Sequence, residues 1–171
     1  TGAGKSTIFK LILGDYEPWA GTVHVWGVDA AQLAPQARRR FVGHVDQAFR
    51  AVPGTVADQI TLGDPGISRE EMTQAAQLAG IGGALEALPQ GYDTPYAEGL
   101  LSQGQTQLLS IARAVAANPK LLLLDEITAN LDSGTEQQVM EALRRASQNR
   151  AVLSISHRLY EQSGQGRIVQ I

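Results

Sequence analysis

The chain opens with a glycine-rich stretch that few folds accommodate. Its residues are Thr1, Gly2, Ala3, Gly4, Lys5, Ser6 and Thr7. They match the end of the phosphate-binding pattern G-x-x-x-x-G-K-[ST], whose first glycine would precede Thr1. Glycines let successive backbone N–H groups point at phosphate oxygens, Lys5 adds a compact charge, and the Ser6 hydroxyl can ligate Mg²⁺. The pattern predicts a phosphate-binding loop before a helix whose dipole favours an anion; the alternative is an ordinary glycine-rich turn.

Length, charge and composition exclude several classes of protein. The 171 residues suffice for one domain with a buried core and an inserted lobe. A net charge of −3 gives no electrostatic footprint for nucleic acid, so no nucleic-acid partner is expected. The absence of cysteine excludes disulfides and thiol chemistry. No stretch approaches the ~18 apolar residues of a membrane span. Because the first residue is a threonine inside a motif, we expect a piece of a longer protein.

Strand and helix patterns alternate along most of the chain, which predicts an α/β fold. Residues 22–28 alternate in polarity, and compact apolar runs cover residues 41–45, 121–124 and 151–155. These four segments are expected to be strands. Helical patterns lie between them, so the expected architecture is a mainly parallel sheet flanked by helices.

The middle of the chain differs in pattern from its two ends. Strand signals stop after residue 48, and a capping box at Ser68 predicts a helix that Gly80 ends. We therefore divide the chain into a core, residues 1–47 and 106–171, and an inserted α-helical subdomain, residues 48–105.

Polar residues follow three of the predicted strands. Asp125 and Glu126 come directly after the four leucines of one strand, and Gln47 and His157 follow two others. In open α/β sheets ligands bind at the carboxyl ends of the strands. Side chains alternate along an extended chain, so Asp125 and Glu126 suit two roles, toward Mg²⁺ and toward an attacking water. Taken singly, Gln47 and His157 are equally typical of ordinary loop residues.

A second potential anion site precedes the longest apolar helix pattern. The segment reads Leu101-Ser102-Gln103-Gly104-Gln105, and Ser102 is a favourable N-cap. A capped helix N-terminus beside a glycine can bind an anion. Taken alone, the local pattern favours a plain helix cap.

With these motifs in order, the sequence resembles the nucleotide-binding domain of ATP-binding cassette (ABC) proteins of the exporter type. The phosphate loop matches TGAGKST, the Q-loop glutamine matches Gln47, and the family signature LSGGQ appears as LSQGQ at residues 101–105, called the signature segment below. LLLLDE matches the Walker B strand, Asn130-Leu131-Asp132 the D-loop, and His157 the switch histidine. Pro53 to Ile60 resembles the exporter subgroup. The resemblance implies a P-loop NTPase core.

The resemblance also implies a mechanism and partners. Two such domains bind head to tail and enclose two ATP molecules, each held by the phosphate loop of one domain and covered by the signature segment of the other. Lys5 and the loop bind phosphates, Ser6, Gln47 and Asp125 hold Mg²⁺, Glu126 polarises water, and His157 contacts the γ-phosphate. The remaining implied ligand-binding residues are Thr1, Gly2, Ala3, Gly4, Thr7, Ser102, Gln103, Gly104 and Gln105.

The implied function is an ATP hydrolase that powers a membrane exporter. Its partners would be a second nucleotide-binding domain and a transmembrane domain, at the cytoplasmic face of the cell membrane. The alternatives are a soluble ABC-class ATPase in translation or DNA maintenance, and a nucleotide-sensing module without turnover. The short helical segment and the exporter-like Pro53 region disfavour the first, and Glu126 with His157 disfavours the second. The signature segment disfavours a generic P-loop kinase or GTPase.

Overall fold

A computed structural model describes residues 5–46, 48–125 and 131–155. Helices and strands alternate along these ranges. In chain order they are α1 (Lys5–Ile12), β1 (His24–Val25), β2 (Val28–Asp29), α2 (Pro35–Arg39), β3 (Val42–Val45), α3 (Val56–Thr61), α4 (Arg69–Leu78), α5 (Gly82–Glu86), α6 (Gln103–Val115), β4 (Leu121–Asp125), α7 (Ser133–Ala146) and β5 (Ala151–Ile155).

The centre of the fold is a parallel sheet in the order β3-β4-β5. Its middle strand, β4, is buried on both faces because Leu122 and Leu124 join one apolar core and Leu123 joins another. A run of apolar residues is typical of a strand covered by helices on both sides. The prediction of a parallel sheet flanked by helices is therefore confirmed.

The two cores differ in size and in the helices that supply them. The larger core lies on the face of the sheet that α6 covers, and it also takes in buried residues of α3, α4 and α7. The smaller core is built around Phe9 of α1, with Val25, Ala30 and Val42. The sheet therefore separates α1 from α6, and the two helix N-termini that the sequence marks as anion sites belong to different layers.

Residues 22–28 fold differently from the single strand that the alternation predicts. Two short antiparallel strands, β1 and β2, form a hairpin with Val25 paired to Val28. Trp26 and Gly27 connect them with φ values of 52° and 80°, the left-handed pair that a tight two-residue hairpin turn needs. Gly27 allows the chain to reverse there, so β1 ends at Val25, which is buried.

The segment between β3 and α6 is helical. α3 and α4 each begin with a complete capping box, at Thr55 and Ser68, and Gly80 follows α4 with a φ of 78°. The division of the chain into a core and an inserted subdomain stays a prediction. Among the described residues, every helix falls short of the length and hydrophobicity that a membrane span requires.

α6 and β3 approach each other closely at Gly43. A Cβ atom on Gly43 would lie 2.3 Å from the carbonyl oxygen of Ala114 and 2.9 Å from side-chain atoms of Leu122 and Pro119. A backbone carbonyl has no rotamer by which to withdraw. Glycine at this position is therefore required for α6 to lie against the sheet.

We predict that Gly43→Ala lowers the free energy of unfolding by at least about 2 kcal/mol, because the added methyl must push α6 away from β3. Urea unfolding of the protein measures this change. The matched control is Gly83→Ala in α5, where a Cβ meets no atom within 4 Å. It is expected to stabilise the protein by up to about 1 kcal/mol through helix propensity. Equal effects of the two substitutions would contradict the packing account of Gly43.

Candidate functional site

The three parallel strands end side by side. Val45 pairs with Leu124, and Asp125 pairs with Ile155, so the carboxyl ends lie within one residue of each other. Gln47, Glu126 and His157 follow these ends in the sequence. They lie outside the described residues, as do Thr1, Gly2, Ala3 and Gly4 and the side chains of Lys5 and Ser6. The structure thus describes the frame that carries these residues.

Asp125 ends β4 on the face of the sheet that α1 covers. It follows Leu123 by two residues, and Leu123 belongs to the core around Phe9 of α1. Phe9 meets the ring of His44 edge to face, with centroids 5.9 Å apart and planes at 88°. α1 therefore lies against the same face of β3 and β4 that presents Asp125, while Thr7 in its first turns is exposed.

His44 is a polar residue in the interior of β3 that the sequence reasoning did not select. Its Nε2 atom is buried, and within residues 5–46, 48–125 and 131–155 it has no hydrogen-bond partner. Burial lowers the pKa of His44 below its ordinary value, and the nearby carboxylates of Asp46, Asp125 and Asp15 oppose that shift. The imidazole is therefore neutral at pH 7 and adds no positive charge beside Asp125. Its position in an apolar strand was the one available signal.

The signature segment forms the first turn of α6. The Ser102 hydroxyl accepts a hydrogen bond from the backbone N–H of Gln105 (3.2 Å), and Gln105 Oε1 accepts one from the backbone N–H of Ser102 (2.9 Å). This capping box confirms Ser102 as the N-cap. For the N–H groups of Gln103 and Gly104, no acceptor is found in the part of the chain that the structure describes. A helix N-terminus with such groups can bind an anion.

The signature segment and α1 lie on opposite sides of the sheet. α6 packs against the face that carries the larger core, and α1 packs against the other face through Phe9. Gly43 of β3 packs against Ala114, near the C-terminal end of α6, and ten residues of helix, about 15 Å at 1.5 Å per residue, separate Ala114 from Gly104. The two helix N-termini that could bind anions thus belong to different layers of the fold.

The segment that follows Gln47, residues 48–54, is held by a buried glutamine. Gln59 of α3 is fully buried. Its Nε2 donates to the carbonyl oxygen of Val52 (2.7 Å), and its Oε1 accepts from the N–H of Val52 (2.9 Å). The side-chain amide thus makes the same two hydrogen bonds that a neighbouring strand would make with Val52. It holds the segment in place although the segment is not part of a sheet.

Arg113 of α6 connects the same segment to the signature helix. It donates to the carbonyl oxygen of Arg50 (2.8 Å) and to the carbonyl and side-chain oxygens of Gln59. Its guanidinium lies 4.1 Å above the ring of Phe49. Burial lowers the pKa of Arg113 to about 10, so the group remains charged at pH 7. Sequence reasoning missed it, although a cation between Ala112 and Ala114 in an apolar helix is a usable signal.

The three arginines at residues 38–40 stabilise the fold through hydrogen bonds to the backbone. Arg38 donates to the carbonyl oxygen of Leu33 (2.9 Å) and Arg40 to that of Gly66 (2.7 Å). Arg39 donates to the carbonyl oxygens of Ile60, Thr61 and Arg113. Each guanidinium thus satisfies backbone acceptors of neighbouring segments.

A groove of about 560 Å³ opens beside residues 48–54. Phe49 and Tyr96 form part of its lining, with ring centroids 5.9 Å apart, and Ala97 and Glu98 lie at its exposed side. Through Phe49 the groove contacts the Arg113 network. The surface is therefore joined by direct contacts both to the segment after Gln47 and to the signature helix.

Comparisons with known proteins agree with this arrangement. The sequence profile described as ABC transporter matches residues 1–129. An ATM1-type heavy metal exporter of Novosphingobium aromaticivorans is 41% identical over 161 residues, which cover 93% of this chain and 26% of that protein. The mycobactin import ATP-binding/permease protein IrtA of Mycolicibacterium smegmatis is 42% identical over 161 residues, covering 94% of this chain and 19% of that protein.

A solved structure of a bacterial Atm1-family ABC exporter with ATP bound superposes with a TM-score of 0.75 at 39% identity. The match covers 94% of this chain and 28% of that one. The chain thus spans between 19% and 28% of the length of these three proteins. Since the family profile matches three quarters of the chain and the fold agrees, the chain belongs to the ABC transporter family, as an exporter-type nucleotide-binding domain.

Proposed function

We propose that this chain binds and hydrolyses ATP to power a membrane exporter. The observation that supports the proposal best is the common end of β3, β4 and β5, which pair in register up to Val45, Asp125 and Ile155. In the sequence, Gln47, Glu126 and His157 each follow one of these ends by at most two positions. α1, which follows the phosphate loop, packs on the face that presents Asp125.

Phosphate binding falls to the loop before α1. Backbone N–H groups of residues 2–6 and the Lys5 ammonium would hold the β- and γ-phosphates, and the α1 dipole adds to their stabilisation. Thr1, Ala3 and Thr7 complete the loop. Lysine suits this role because its charge is compact and its stem is long enough to reach between phosphates.

The donor set at the sheet edge fits Mg²⁺. The ion prefers oxygen ligands and keeps several waters, so one carboxylate with a hydroxyl and an amide oxygen suffices. Asp125, Ser6 and Gln47 would provide these oxygens. When bound, Mg²⁺ supplies positive charge that offsets charge developing on the phosphates. The neutral His44 leaves the negative charge of Asp125 available for this purpose.

Hydrolysis would be carried by Glu126 and His157. Glu126 follows Asp125 on an extended chain, so the two carboxylates diverge and only one is needed at the metal. Glu126 would orient and polarise the attacking water, and His157 would contact the γ-phosphate. Phosphoryl transfer requires mainly positioning and charge stabilisation, which a rigid sheet edge provides.

The separation of the two anion sites supports a head-to-tail dimer. α1 and α6 lie on opposite faces of the sheet, so we infer that Ser102, Gln103, Gly104 and Gln105 cover an ATP bound by a second domain. Two such contacts per pair give a symmetric, self-complementary interface. ATP would then join the two domains, and hydrolysis would release them.

The groove beside residues 48–54 is the proposed contact with a transmembrane domain at the cytoplasmic face of the membrane. Its aromatic lining and shallow, partly polar rim fit an inserted helix end. Phe49, Arg113 and Gln59 connect it to the segment after Gln47 and to α6. Export is the proposed direction because residues 53–60 resemble the exporter subgroup and because the solved structure that superposes is that of an exporter.

Glu126→Gln is expected to bind ATP normally and to hydrolyse it at least ~10²-fold more slowly, because a positioned base contributes ~10²–10⁴-fold. ATP binding and phosphate release measured on the intact protein separate the two effects. Glu86→Gln in α5, an exposed glutamate, is the control and should retain normal turnover. Near-normal hydrolysis by Glu126→Gln would refute the assignment of the base.

Ala97→Glu is expected to uncouple ATP hydrolysis from transport, since an unpaired charge buried at the groove costs several kcal/mol of contact. We predict that substrate-stimulated ATPase activity in the intact transporter falls at least about tenfold, the equivalent of 1.4 kcal/mol, while ATP affinity is unchanged. Ala37→Glu, on the exposed surface of α2, is the matched control. Normal stimulation in Ala97→Glu would show that this groove is not the coupling surface.

A further inference from the structure

Gly104 of the signature segment is enclosed by a side chain of another helix. A Cβ atom on Gly104 would lie 2.4 Å from Cγ2 of Thr135 and 3.5 Å from its Oγ1. Glycine inside a helix is less favourable than alanine, and no positive φ requires it here. The close approach of the Thr135 methyl group is therefore a physical reason for glycine at this position.

Thr135 itself is held in one orientation. Asp132 caps α7, accepting hydrogen bonds from the backbone N–H groups of Gly134 and Thr135, both at 3.1 Å. The Thr135 hydroxyl also bonds the Asp132 carboxylate and, together with these backbone bonds, lowers the pKa of Asp132. A β-branched side chain has few χ1 rotamers. Beside the Asp132 cap, Thr135 thus places its methyl group against Gly104.

We propose that Thr135 is a positioning residue that sets the location of the signature segment relative to the D-loop. The inference rests on the proposed function, since it concerns how that segment reaches ATP. Asp132 follows β4 by way of residues 126–131, and its cap fixes Thr135, whose methyl group meets the first turn of α6. A shift of the turn at Asp132 is thereby transmitted to Gly104 through one short, rigid side chain.

The packing around this contact favours transmission of a shift from Asp132 to Gly104 over local adjustment of the two helices. α6 and α7 pack along their lengths, and Leu109, Val139 and Leu143 are all buried in the larger core. The first turns of the two helices therefore have little freedom to separate. Densely packed elements move as units, so the signature segment and the turn at Asp132 of one chain approach a second domain together.

The test is a double-mutant cycle between Gly104 and Thr135 in the full-length protein, with the KM for ATP and kcat of its ATPase activity as readouts. Gly104→Ala places a methyl group against Cγ2 of Thr135, and we expect it to raise KM at least about tenfold. Thr135→Ser removes that Cγ2 and keeps the hydroxyl for Asp132. The double variant is expected to recover at least about threefold of the lost affinity, within the range of coupling between contacting residues.

Thr135→Ser alone should raise KM for ATP by about threefold with kcat nearly unchanged, since contacting residues couple on this scale. Thr73→Ser in α4 is the matched control, because it removes the same methyl group from a helical threonine, whose hydroxyl donates to the carbonyl oxygen of Arg69, and because its helix is remote in sequence from both motifs. Unfolding temperatures of all variants distinguish a loss of fold from a displacement of the signature segment in a folded protein. If Thr135 only stabilised the fold, Thr135→Ser would lower the unfolding temperature without changing KM relative to kcat.

Two results would overturn the inference. In one, Gly104→Ala and the double variant show the same KM, which would mean that the alanine methyl group acts directly at the nucleotide and not through Thr135. In the other, Thr135→Ser has the same KM for ATP as the unmodified protein and as Thr73→Ser, and the double-mutant cycle shows no coupling between Gly104 and Thr135. Absence of ATP hydrolysis in the unmodified protein is a distinct result, which would refute the proposed function and this inference with it.

Discussion

Burial of β4 on both faces is the constraint on which the rest of the structure depends. Leu122, Leu123 and Leu124 are almost completely buried, so the strand must lie between two layers of helices. Its neighbours β3 and β5 pair with it in parallel and end beside Asp125. A polar cluster at the end of such a strand is stable only if solvent, metal or ligand satisfies it. The apolar core thereby determines where the chemistry takes place.

A second set of interactions joins this edge to the surface. Gln59 and Arg113 satisfy backbone groups of residues 48–54 that no strand partner reaches. Charged and amide side chains replace a β ladder there, so the segment after Gln47 is fixed to two helices at once. In an ATP-driven transporter, such a segment can convert movement of the groove into movement at the nucleotide. The hydrogen bonds from Gln59 and Arg113 give the segment a defined geometry without a large apolar core around it.

Much of the fold could be predicted from the sequence, because the local sequence patterns favour the same helices and strands that the packed fold requires. Four leucines before Asp125 predict a doubly buried strand, and Ser102 predicts the start of α6; both are confirmed. The hairpin at Trp26 was missed because alternation continues through a left-handed turn. At α7 the N-cap is Asp132; because Ser133 beside it is also a favourable cap residue, the local pattern alone does not choose between the two. Contacts such as Arg113 with residues 48–54 depend on distant packing, which no local pattern encodes.

The central claim is that ATP binds between the sheet edge of one chain and the signature turn of another. A cryo-electron microscopy structure of the intact protein with ATP and Mg²⁺ tests it most directly. We predict γ-phosphate density beside Asp125 and Ser6 of one chain, capped by the backbone N–H group of Gly104 from a second chain. Nucleotide density elsewhere, or a signature segment from the same chain closing over it, would contradict the account.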